Sequence, residues 1–128
     1  MSEAARRKRV LVVDDQPTLS RAIKRMLTEY DVTLAGSARE AIELVESGER
    51  FDVILSDLMM PEVSGMELHD TIAKVAPDQV GKMVFMTGGA FTERARLLLR
   101  QTGRPVLNKP CKREDIVDAL AQLGIAPR

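Results

Sequence analysis

Apolar positions along this chain fall in short unbroken runs that alternate with stretches of helical spacing, five times over. Val10-Leu11-Val12-Val13 is a continuous, β-branched-rich run, the pattern of a strand covered on both faces. Leu19, Ile23, Met26, Leu27 and Tyr30 then share one helical face, with Pro17 near the first turn, where its missing N–H costs little. Asp31-Val32-Thr33-Leu34-Ala35 predicts a second strand. Ser37 and Glu40 form a capping-box pattern that opens a helix carrying Ala41, Leu44 and Val45 and stopping at Gly48. Val53-Ile54-Leu55-Ser56 predicts a third strand running into Asp57. A loop through Pro61 leads to a second capping-box pattern, Ser64 and Glu67. The helix behind it buries Leu68, Ile72 and Val75 or their neighbours and ends before Pro77. Met83-Val84-Phe85-Met86 predicts a fourth strand and Thr87-Gly88-Gly89 a turn. A helix from about Thr92 carries Ala95, Leu98 and Leu99 and closes at Gly103. Val106-Leu107 makes a short fifth strand, and Ile116, Ala119, Leu120 and Leu123 fall on one face of the last helix.

This alternation predicts an α/β domain with a parallel sheet and helices on both faces, because each right-handed crossover must pack back onto the sheet. At 128 residues the chain has the size of one domain. A domain this long buries roughly two thirds of the surface its unfolded chain exposes, so it needs neither disulfides nor a structural metal. The expected organisation is a basic lead-in or linker over residues 1–9, the folded domain over 10–124 and a tail over 125–128. In such sheets ligands sit beyond the carboxyl ends of the strands, where the strand order reverses.

Charge and composition narrow the function classes. Lys plus Arg number 19 and Asp plus Glu 19, so nothing in the net charge calls for direct nucleic-acid binding or an anionic membrane. Cys111 is the one cysteine, which excludes an internal disulfide and suits a reducing cytoplasm. No apolar run approaches the ~20 residues of a membrane span. The basic cluster Arg6, Arg7, Lys8 and Arg9 lacks the apolar region of a signal peptide; a nucleic-acid arm stays open, but a solvated lead-in or linker is favoured.

Polar residues stand where the predicted strands finish: Asp14 and Asp15 after the first, Asp57 after the third, Thr87 after the fourth and Lys109 after the fifth. An Asp pair alone reads equally well as a turn or helix cap; its coincidence with the other strand ends changes the picture. Carboxylates ~4 Å apart repel by about 4 kcal/mol per pair at an effective dielectric near 20, so a converging set calls for a cation. Hard oxygen ligands with room for water and phosphate suit Mg²⁺, and no Cys/His cluster suggests zinc. One carboxylate is then free to attack phosphorus and form an acyl phosphate. Lys109 offers a charge and Thr87 a hydroxyl donor to the same oxygens.

In this order, Leu11-Val12-Val13-Asp14-Asp15, Asp57-Leu58-Met59-Met60-Pro61 with Gly65 beyond, Thr87-Gly88 and Lys109-Pro110 resemble the receiver domain of two-component response regulators. The resemblance covers Val10 to Leu123. It implies a flavodoxin-like (βα)5 fold of strand order 2-1-3-4-5, with Asp57 as the residue phosphorylated by a histidine kinase. Asp15, Asp57 and the backbone carbonyl of Met59 would bind Mg²⁺ directly, and Asp14 through a water. Thr87 would move toward the phosphoryl group, Lys109 would pair with it, and the Lys109–Pro110 peptide would be cis, an uncommon isomer. The chain would act as a signalling phosphoacceptor whose conformational change reaches an unidentified output partner. A phosphatase with an aspartyl nucleophile resembles a different pattern, with a second Asp where Met59 stands; a scaffold that has lost the chemistry would lack acids that are all present. Nothing after the last helix reads as an output domain. A stand-alone regulator and the receiver of a hybrid histidine kinase both fit; the stretches Thr87-Gly88-Gly89-Ala90-Phe91-Thr92 and Pro105-Val106-Leu107-Asn108-Lys109-Pro110 resemble hybrid-kinase receivers and favour the latter.

The sequence also departs from the family. Val106 stands where many members carry an aromatic ring that swings inward on activation, so a ring-rotamer readout fails in its usual form; Phe85 and Phe91 are expected in the core or in loop packing. Cys111 replaces a common Phe, and neighbouring Lys109 and Lys112 leave a reactive thiolate open, although a packing role is favoured. His69 invites a phosphotransfer role, yet a lone His on a helix reads better as a boundary residue. Thr87-Gly88-Gly89 continues into no nucleotide-binding glycine pattern. Met59 and Gly89 hold the positions that in the family tune water access to the acyl phosphate, and neither orients water. Autodephosphorylation is therefore expected to be neither rapid nor extreme: decay of a labelled phosphoprotein should take longer than seconds, and a half-life of seconds would contradict this.

Overall fold

A computed structural model describes residues 7–60, 63–88, 93–103 and 105–125, except the side chains of residues 94, 95 and 98. The predicted roles of Pro61, Gly89, Phe91, Thr92, Ala95 and Leu98 lie outside those described residues and side chains. In chain order the elements are β1 (Arg9–Val13), α1 (Pro17–Met26), β2 (Asp31–Ala35), α2 (Ala38–Glu46), β3 (Val53–Asp57), α3 (Gly65–Val75), α4 (Pro77–Val80), β4 (Met83–Thr87), α5 (Glu93–Thr102), β5 (Val106–Asn108) and α6 (Arg113–Gln122). The strands form one five-stranded sheet in the order β2-β1-β3-β4-β5, every pair parallel. That is the α/β, flavodoxin-like order the resemblance implied.

The unbroken apolar runs have a direct cause. Side chains alternate across a strand, and both faces are covered. Val10 and Val12 join Ile23, Leu27, Leu55, Val84, Met86, Ile116 and Leu120 on the α1/α6 side. Leu11 and Val13 join Ile54, Leu68, Ile72, Met83 and Phe85 on the other, under α2 and α3. Lys109–Pro110 is cis, as expected.

Helix ends follow the local chemistry with three differences. Ser64 and Glu67 form the reciprocal capping box, Ser64 Oγ accepting from Glu67 N and the Glu67 carboxylate from Ser64 N. Ser37 likewise caps Glu40 N at 3.1 Å, but Glu40 reaches one residue further back and accepts from Gly36 N. Tyr30 lies beyond α1, where its hydroxyl donates to Ile125 O at 2.9 Å and ties the end of the described chain to the start of β2. Val75 is 42% exposed and Ala76 is buried instead, because the helical turn α4, which periodicity did not predict, redirects the chain after α3. Gly48 and Gly103, at φ 103° and 64°, close α2 and α5 in a conformation that disfavours side chains.

Burial fixes the outcome of truncation. Leu68→Ala should lose about 2–5 kcal/mol in urea unfolding because it opens a cavity beneath α3. Val75→Ala, seven residues along the same helix, should change stability by no more than about 0.5 kcal/mol.

Candidate phosphoacceptor site

The parallel ladder continues past the strands and sets the ends of three loops. Asp14 N donates to Ala35 O at 3.1 Å, Leu58 N to Met86 O at 2.8 Å and Lys109 N to Thr87 O at 2.8 Å. Residues flanking each strand end are thus held in register with their neighbours, and the sequence-predicted residues meet at one edge of the sheet. Asp14, Asp15 and Asp57 each present a carboxylate oxygen within 4.8 Å of the others. Asp14, Asp57 and Thr87 are buried and Asp15 is exposed. Lys109 Nζ lies 2.8 Å from Asp14 Oδ2 and 2.9 Å from Asp57 Oδ2.

The remaining contacts decide what the cluster can do. Asp57 Oδ1 accepts from Met59 N at 3.2 Å, and Asp14 Oδ1 from Gln16 N at 2.9 Å. Asp14 Oδ2 is buried, and the Lys109 ammonium is its contact at 2.8 Å. Burial pushes the Asp57 carboxyl above its ordinary value and Asp14 adds to this, outweighing the opposing pull of Lys109 and the Met59 N–H. For Lys109 burial favours the neutral amine, but Asp14 and Asp57 together outweigh it and raise its pKa. One ammonium among three carboxylates leaves two negative charges uncompensated. Three hard carboxylate oxygens within 4.8 Å of one another, offset by a single ammonium, fit a small divalent cation such as Mg²⁺.

Gly65 belongs to this site for a reason that its place in the motif did not disclose. A Cβ there would lie 2.5 Å from Asp57 O and 2.8 Å from Leu58 Cα, so the first turn of α3 approaches the end of β3 as closely as a backbone can.

The other singled-out residues take bland roles. Phe85 is fully buried, and the His69 ring packs 6.1 Å from it with Nδ1 3.5 Å from Asp70 Oδ1, so His69 is a boundary residue on α3. Cys111 is buried; burial pushes its thiol up more than Lys109 pulls it down, against a reactive thiolate. Val106 is 37% exposed beside β4, and no ring among the described residues replaces the absent aromatic at that position.

Comparison with known proteins agrees with this geometry. The response regulator receiver domain family matches residues 10–121. The chain is 32% identical over 111 residues to the two-component response regulator ORR21 of Oryza sativa, an alignment covering 84% of this chain and 16% of that protein. It is 44% identical over 67 residues to the two-component response regulator ARR11 of Arabidopsis thaliana, covering 50% of this chain and 13% of that one. It therefore spans a small part of these relatives' length. A response regulator receiver domain protein from Clostridium thermocellum superimposes with a TM-score of 0.79 at 28% identity, covering 91% of this chain and 93% of that one. Fold, strand-end acids and family match agree, and the chain belongs to the response regulator receiver domain family.

Proposed function

We propose that Asp57 accepts a phosphoryl group from a histidine kinase and that the folded domain, which takes in Arg9 of β1 and the buried Ile125 beyond the expected bounds 10–124, signals the change to a partner, with a lead-in or linker before it and a tail after it. The observation that carries this reading is the convergence of Asp14, Asp15 and Asp57 within 4.8 Å with Lys109 Nζ lodged between Asp14 and Asp57. An Asp57 carboxylate oxygen attacks phosphorus of a phosphohistidine; the O–P bond forms, the P–N bond breaks, and its electron pair returns to the imidazole nitrogen. Burial makes that carboxylate more basic than an ordinary aspartate and a better nucleophile.

Asp15, Asp57 and the Met59 carbonyl would hold Mg²⁺ directly, with Asp14 acting through a water. When bound, the ion neutralises charge on the phosphoryl oxygens. Attack turns the Asp57 carboxylate into an ester-like group, so Lys109 gives up half of its ion pairing and turns to a phosphoryl oxygen. Thr87 moves to donate its hydroxyl to the same group. Because Thr87 and Lys109 are joined through their backbones at the ends of β4 and β5, their shift reaches the neighbouring α5 and α6. A cytoplasmic setting suits the single buried thiol, and the strand-four and strand-five wording supports origin in a hybrid histidine kinase.

Beryllofluoride with Mg²⁺ should shift the amide resonances of Asp57, Thr87 and Lys109, and Asp57→Asn should abolish the response; an unresponsive wild-type protein would refute the proposal. A second outcome follows from the raised Asp57 pKa, whose sign means that the ionised carboxylate costs the metal-free fold stability. That cost appears as pH rises from the ordinary value of 3.8 through the folded value. Without divalent cation at pH 7, Asp57→Asn should therefore be the more stable protein, with the higher thermal midpoint. The gap in thermal melts should narrow as pH falls toward 3.8, or when Mg²⁺ stabilises the wild type.

A further inference from the structure

The opposite end of the sheet carries a feature that phosphoacceptor chemistry does not use. A cleft of about 570 Å³ opens at the amino-terminal ends of β1 and β3, lined by Arg7, Lys8, Arg9, Arg50, Phe51, Asp52, Asp78, Gln79 and Lys82. Five cations face two carboxylates there, in a chain whose net charge is zero. Two of the cations are built into the wall. Arg9 stacks 4.7 Å above the Phe51 ring and pairs with Glu49 at 2.7 Å, while Arg50 pairs with Asp78 at 2.9 Å. Asp52 accepts from Arg9 N at 2.7 Å. Arg7, Lys8 and Lys82 form no ion pair with any described residue. Gln79 is 4% exposed, and its Oε1 accepts from Phe51 N at 2.7 Å. Its Nε2 donors make no hydrogen bond among the described residues.

Cations without ion partners and a side-chain amide around one concavity are the elements of an oxyanion site. We propose that this cleft binds a multiply charged phosphate anion, with Arg7, Lys8 and Lys82 neutralising the oxygens and the Gln79 amide donating to one of them. The volume suits a ligand of nucleotide size. Arg9 already occupies a face of Phe51, so recognition centres on the phosphates and a base contributes little. The anion comes either free in solution or as a lipid headgroup, and the two sources are separable.

The test uses the full chain in EDTA, which keeps the acidic site from recruiting anions through a divalent ion. Titration with sodium pyrophosphate should shift the amide resonances of Lys8, Arg9, Phe51 and Lys82, with ATP binding within a few-fold of pyrophosphate. The double variant Lys8→Glu/Lys82→Glu should weaken binding at least tenfold while its Asp57 still responds to beryllofluoride and Mg²⁺, which separates this site from the phosphoacceptor. Vesicles of phosphatidylcholine containing a phosphoinositide should sediment the protein if the source is a headgroup, and leave it in solution if the anion is free. Absence of shifts at millimolar pyrophosphate in moderate salt, or equal shifts in the double variant, would overturn the proposal.

Discussion

Mutual repulsion among Asp14, Asp15 and Asp57 is the constraint on which the functional end of this molecule depends. Carboxylates brought this close without compensation would strain the fold, and Lys109 offsets only part of the cost by sitting between Asp14 and Asp57. The surroundings make sense as the means of holding this unfavourable group together. Strand ends continue as ladder hydrogen bonds into the loops, and α3 is pressed against β3 through a residue that has no side chain. The ammonium that holds the resting cluster lies 2.9 Å from Asp57, so under the proposed function discharge of Asp57 and release of Lys109 would be one event.

Much of this was legible in the sequence because the fold writes its chemistry at predictable places. A strand buried on both faces is mostly apolar, so polar residues gather near its end, and in a parallel sheet the carboxyl ends share an edge. Asp14 and Thr87 directly end their apolar runs, whereas Asp57 follows Ser56 and Lys109 follows Asn108, so those two were placed by the order of the motifs as much as by the runs. The helical turn Pro77–Val80 was not visible, since four residues are too few for periodicity to show. Val75 kept the spacing of an inward position but lost its burial when the chain turned at Ala76. The Gly65 approach depends on the distance between two backbones, which no residue pattern encodes. The cleft was visible only in part: the basic cluster Arg6 to Arg9 shows in the sequence, but its meeting with Arg50 and Lys82 depends on the fold.

Val106 bears on how a signal leaves the domain. Its β-branched side chain has little rotameric freedom and lies partly exposed beside β4. With no swinging ring at that position, the backbone bond from Lys109 to Thr87 is, under the proposed function, a route from the acidic pocket toward α5 and α6 that would move whole elements.

Separation of charge has a consequence for encounters in solution. With three carboxylates and one ammonium beyond the carboxyl ends of the strands, and Arg7, Lys8 and Lys82 without ion partners among the described residues beyond the amino ends, a chain of zero net charge separates unlike charges along its strands. Such a molecule orients before it touches a charged partner. Cations and basic surfaces meet the phosphorylatable end first and polyanions the other, and added salt erodes that preference over roughly 10 Å at 0.1 M.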